Sequence, residues 1–147
     1  MKMSRRAWLG GLAGACALRG PFPAVEAAEL TLPAGASEER FDFETAGVER
    51  WTTVAGRWAV EDMASAPSGK RVLVQREVRN EFSVIVAPPG PYTAVDVSVK
   101  LQPIAGKEDA SGGIVFRFAV GRVGLWTKAD SITAFDELSI RGIPGGA

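Results

Sequence analysis

Tyr92-Thr93-Ala94-Val95-Asp96-Val97-Ser98-Val99-Lys100-Leu101 is the stretch on which the fold is decided. Val95, Val97, Val99 and Leu101 alternate with Asp96, Ser98 and Lys100. Successive side chains of a strand point to opposite faces, so this period of two buries one face and wets the other. The same kind of signal recurs outward in both directions. Upstream lie Arg40–Glu44, Arg50–Val54, Arg57–Glu61, Val72–Arg76 and Phe82–Val86. Downstream lie Gly113–Phe118, Arg122–Thr127 and Ala134–Ile140. All are short, rich in Val, Ile, Phe and Trp, and separated by Gly, Pro, Ser or Asp. Pro88-Pro89-Gly90-Pro91 reads as a stiff connector into the Tyr92 strand. No helical period persists over three turns after residue 40. The expectation is an all-β antiparallel sandwich.

One segment resists the pattern. In Ala134–Ile140, simple alternation puts Phe135 on one face and Asp136, Leu138 and Ile140 on the other. An acid then shares a face with two core-type side chains. If Asp136 is buried, its carboxylate is expected to accept backbone N–H bonds and fix a turn.

The N-terminus carries a different message. Lys2, Arg5 and Arg6 precede the uncharged, mostly apolar run Ala7–Leu18, which at 12 residues is too short to span a bilayer. Arg19, Pro21 and Pro23 end it, and cutting after Ala27 places Val25 at −3 and Ala27 at −1. Residues 1–27 therefore read as a removable signal peptide. Ser4-Arg5-Arg6-Ala7-Trp8-Leu9 resembles the twin-arginine motif, with Trp8 where Phe is usual; an ordinary secretory signal is the alternative. Either implies a periplasmic or secreted protein. Cys16, the only cysteine, falls inside the signal; the alternative is a lipoprotein cut just before it. Residues 28–39 read as a linker, 40–141 as the domain and 142–147 as a disordered tail.

Composition excludes several chemistries. The chain has no histidine, which rules out Ser-His-Asp and Cys-His catalysis and His-ligated zinc. Without residues 1–27 it keeps 13 basic and 16 acidic residues, a net charge of −3. That balance offers no footprint for nucleic acid and, once the signal is gone, no basic run for a membrane.

Four blocks carry a family resemblance. They are Trp51-Thr52-Thr53-Val54-Ala55-Gly56-Arg57-Trp58-Ala59-Val60-Glu61-Asp62, Ala110-Ser111-Gly112-Gly113-Ile114-Val115-Phe116-Arg117-Phe118, Gly121-Arg122-Val123-Gly124-Leu125-Trp126-Thr127-Lys128-Ala129-Asp130-Ser131, and Ala134-Phe135-Asp136-Glu137-Leu138. Together, over roughly residues 40–141, they resemble the concanavalin A-like, laminin-G-like jelly rolls of the 3-keto-disaccharide hydrolase type. In that family a strand containing Asn-Tyr-Tyr and several further strands, with a Trp-His pair among them, separate the second block from the third. Here only Ala119 and Val120 stand between Phe118 and Gly121. The resemblance thus implies an internal deletion after Phe118, and exposed sheet edges through which the chain would self-associate.

The resemblance implies an exported carbohydrate-associated binding module for an oligosaccharide or other glycoside. One alternative is a hydrolase of 3-keto-glycosides; another is a truncated remnant without independent activity. Ligand-binding candidates are Arg117, Trp126, Lys128 and Asp130, while Trp51, Trp58 and Trp126 each read as core or as a sugar-stacking platform. Asp42 and Asp136 are the candidates for a calcium site, with Glu44, Asp130 and Glu137 as further oxygen donors.

Overall fold

The computed structural model describes residues 9–10, 34–107, 110–118 and 121–145. Apart from Leu9 and Gly10, the signal motif, Cys16, the cleavage site and the linker up to residue 33 lie outside them. Residues 146–147 lie outside them too.

The described chain is β-strand throughout its regular structure. Ten strands follow in order: β1 (Leu9–Gly10), β2 (Ser37–Phe41), β3 (Thr52–Ala55), β4 (Trp58–Asp62), β5 (Arg71–Gln75), β6 (Ser83–Val86), β7 (Tyr92–Ala105), β8 (Gly112–Phe118), β9 (Arg122–Thr127) and β10 (Ile132–Pro144). They form two antiparallel sheets. One runs β1-β7-β10-β5-β4, with β2 also paired to β10; the other runs β3-β6-β9-β8. This is the β-sandwich expected from the sequence.

β10 is the hub. One edge lies along β7 from Ile132 to Pro144. The other is shared by β5 at Thr133–Phe135 and β2 at Leu138–Gly142. Two boundaries differ from the sequence reading. β2 begins at Ser37, inside the segment read as linker, because Ser37–Glu39 pair with Ile140–Gly142. The tail read as disordered from residue 142 continues β10, with Gly142, Ile143 and Pro144 opposite Val95, Ala94 and Tyr92. Gly142 is not a strand breaker here: a Cβ on it would lie 2.5 Å from Cδ1 of the Tyr92 ring. The glycine makes room for a buried tyrosine.

Between the sheets, β10 contributes Phe135, Leu138 and Ile140, β5 Leu73, β4 Trp58, β7 Val99, β6 Ile85 and β9 Val123 and Leu125. Phe135, Leu138 and Ile140 all face this core although simple alternation separates them. The reason is a β-bulge. Between Asp136 and Ser139, β10 advances three residues while β7 advances two, from Lys100 to Ser98. Glu137 takes up the extra residue at φ 48°. A bulge shifts the side-chain phase by one, so both flanks present their apolar residues inward.

The outer face of β5 is also covered. Val72, Val74 and Ala134 form a second small core with Met63, Ala66, Ile104 and Ile132. β5 is therefore buried on both faces, which explains its unbroken Val72-Leu73-Val74 run.

The main core turns polar at one end. Gln75, Ser83, Thr127 and Thr133 are fully buried. Gln75 is opposite Thr133 within one sheet, Ser83 opposite Thr127 in the other, and Gln75 Nε2 donates to Ser83 Oγ at 2.8 Å. The Thr127 and Thr133 hydroxyls have no hydrogen-bond partner among the described residues. Burying an unpartnered hydroxyl costs stability, and valine has nearly the same shape without that cost. Thr127→Val is expected to raise stability by about 1 kcal/mol, a gain of about 4 °C in Tm by thermal circular dichroism.

Candidate binding face around Trp126

The four-stranded sheet turns an unusual surface outward. Val123 and Leu125 of β9 face the core, so Gly124 and Trp126 face out. An outward position on a one-side-packed sheet normally carries a polar residue. Trp126 is instead half-buried, between Val84 of β6 and Gly113 of β8. Its indole lies over Gly113: a Cβ there would sit 3.0 Å from Nε1. Gly113 is thus bare because the indole occupies its side-chain place, and Gly124 because a Cβ there would meet Ile85 O at 2.5 Å and Val115 Cγ1 at 3.0 Å. Phe82, 60% exposed just before β6, meets Trp126 edge-to-face with ring centroids 5.4 Å apart and planes at 87°. The pair forms an aromatic surface open to solvent.

The other ligand-binding candidates divide. Lys128 and Asp130 lie in the turn after β9, at the Trp126 end of the sheet. Lys128 N–H donates to Ser111 O at 3.0 Å, and Asp130 Oδ2 accepts the Lys107 N–H at 2.7 Å. Both thus tie the entry to β8 to the β9–β10 turn. Arg117 is not with them. It lies four residues beyond Gly113 along β8, roughly 13 Å at strand spacing. It is exposed in a bulge at φ 61°, with its guanidinium 5.9 Å from the centroid of the adjacent Phe116 ring.

Trp51 and Trp58 are core residues, 9% and 8% exposed. Trp51 packs edge-on against Phe41, and Trp58 packs on Phe135 while its indole N–H donates to Ala55 O at 2.8 Å. Neither is placed to stack on a sugar.

Asp42 and Asp136 are occupied within the protein. Asp42 Oδ1 accepts the Glu44 N–H at 3.0 Å. Asp136 is fully buried; its Oδ2 accepts the Ser68 N–H, and its Oδ1 accepts the Ser68 hydroxyl and the Glu137 N–H, at 2.7–2.9 Å. Burial pushes its carboxyl above the ordinary range, against the downward pull of those hydrogen bonds. Glu44 does a related job nearby. Its Oε1 accepts the Arg71 and Lys70 N–H groups at 2.7 and 2.8 Å, which hold its carboxyl below the usual value. Among the described residues no three acids gather as a cation site.

Sequence reasoning found Trp126 but missed Phe82, its partner. The signal was available: with Ser83 and Ile85 inward, alternation puts Phe82 and Val84 on the Trp126 face. No family model, curated protein or solved structure matches the chain.

Proposed function

We propose that this protein is an exported carbohydrate-binding module of concanavalin A-like type, which takes a glycoside on the outer face of its four-stranded sheet. The observation that carries this reading is the outward-facing pair of half-buried Trp126 and 60% exposed Phe82. The apolar face of a pyranose ring stacks on such an aromatic surface. Polar groups at the Lys128–Asp130 turn would then contact the sugar hydroxyls. The N-terminal signal fits an exported protein, and the absence of histidine and of the family's segment after Phe118 fits a binding module better than a hydrolase.

The test is a titration with a panel of neutral oligosaccharides, followed by tryptophan fluorescence and calorimetry. Trp126→Ala is expected to weaken binding at least tenfold, as loss of a central aromatic anchor does, with little change in Tm. A flat response of the unmodified protein across the panel sinks the proposal.

A second reading, an incomplete sandwich, draws on Phe116. It lies opposite the buried Val123 yet is 37% exposed at the β8 edge. Such an edge favours pairing with a second copy. A sedimentation profile that stays monomeric at all concentrations counts against it.

A further inference from the structure

A concave feature lies on the opposite outer face of the sandwich, over β2, β10 and β7. It encloses about 600 Å³. Strand register sets its plan. Arg141 lies between Glu38 and Asp96; Ser139 lies between Arg40 and Ser98; and at the bulge Glu137 reaches Lys100. Ser98 and Ser139 are short side chains among long charged ones, and that difference in length makes the hollow. Pro67 and Ser68 close one end.

The charges around it are already matched. Arg40 pairs with Glu38 at 2.8 Å, Lys100 with Glu137 at 2.5 Å, and Arg141 with Asp96. The lining acids Glu38, Asp42 and Glu137 balance the bases Arg40, Lys100 and Arg141. An ionic ligand must break a pair to make one. A ligand bearing hydroxyls need not: it can donate to spare carboxylate lone pairs and accept from spare ammonium and guanidinium N–H groups. The Ser98 and Ser139 hydroxyls can both donate and accept.

Glu137 supplies the second observation. It holds φ 48°, a region where a residue with a long side chain is strained and glycine is not. A position serving the bulge alone would favour glycine. Strain of this kind collects where a side chain must be aimed. Here the bulge, fixed beneath by Asp136 and Ser68, delivers the Glu137 carboxylate to the rim of the hollow.

We infer that this groove is a binding site for a neutral, sugar-sized polyol, distinct from the Trp126 face. Its volume falls in the usual range for small-molecule sites, about 300–1,000 Å³. Glu137 and Lys100 bind the hydroxyls as an intact ion pair, and the two serines line the floor.

The experiment is a nitrogen-15 amide titration of the full chain with glucose, maltose and trehalose, and in parallel with glucuronate and glucosamine. Neutral sugars are expected to shift the amides of residues 98–100 and 137–141, in Trp126→Ala as in the unmodified protein. Glu137→Gly keeps the backbone conformation without strain and is expected to retain or raise Tm while weakening binding at least tenfold. Ser98→Tyr fills the hollow from an exposed position and is expected to abolish those shifts. The inference is overturned if neutral sugars leave these amides unmoved, if glucuronate or glucosamine binds tenfold tighter than glucose, or if either variant binds as the unmodified protein does. Because Trp126→Ala affects only the other face, failure of one site is read separately from failure of the other.

Discussion

Asp136→Ala is expected to destabilise the protein by about 3 kcal/mol, a fall of about 12 °C in Tm by thermal circular dichroism. The carboxylate accepts three hydrogen bonds, two from backbone N–H groups and one from the Ser68 hydroxyl. Alanine leaves the Ser68 and Glu137 N–H groups without that partner. It also releases the Pro67–Ser68 loop from β10 and removes what holds the bulge. Asp136→Asn retains one carbonyl oxygen but turns an amide N–H₂ toward a donor, so an intermediate loss is expected. Its pH profile should differ as well. The folded pKa of Asp136 lies above its ordinary value of 3.8, mainly through burial. The folded chain therefore keeps a proton that the unfolded chain has released. Stability falls as pH rises from 3.8 through the raised folded value, and the asparagine variant loses that fall. Glu44 acts with the opposite sign: its stabilising contribution is lost as pH falls from 4.5 through its lowered folded value. A loss below 1 kcal/mol in Asp136→Ala, by urea unfolding, contradicts the anchoring role.

Phe135→Ala is expected to cost more, about 4 kcal/mol or about 16 °C in Tm. Phe135 is fully buried at the meeting of both sheets. Its ring is 5.9 Å from that of Trp58 by centroid, and its Cζ lies 2.9 Å from where a Cβ on Gly112 would stand. Gly112 of one sheet is thus small because Phe135 of the other fills its place. Removing the ring leaves a cavity that neither sheet can close without sliding on its partner. Phe135→Leu should lose less, because it keeps much of the buried volume. Urea unfolding with unchanged m-values is the check; if alanine costs no more than leucine, Phe135 is not the packing centre that its contacts indicate.

Much of the strand framework was legible in the sequence because alternation is a local property. Val95 to Leu101 needed only its own side chains to declare a face, and eight further strand positions followed from similar local signals. The failures occur where a neighbouring strand alters the local rule. Residues 142–144 look like a fraying Gly-Pro tail until β7 supplies a ladder and Tyr92 fills the space above Gly142. Asp136 beside Leu138 looks inconsistent until the bulge shifts the phase of β10 against β7. The buried Gln75–Ser83 contact joins two sheets and has no trace in either segment alone.

The sites divide in the same way. Trp126 was legible from β9 alone as a tryptophan of either core or binding face, but its outward position and its partner Phe82 of the β6 side are settled only when the strands pair and pack. The hollow around Ser98 and Ser139 was invisible, because it arises from the lengths of side chains on three strands that meet only in the sheet. By itself the sequence determined the all-β class, the strand order along the chain and the chemistry that a chain without histidine cannot perform. The tertiary structure alone decided which short side chains lie among long ones and which acid is buried under a loop. Those outcomes depend on register between distant strands, and register is set by the packing of whole faces rather than by any one segment.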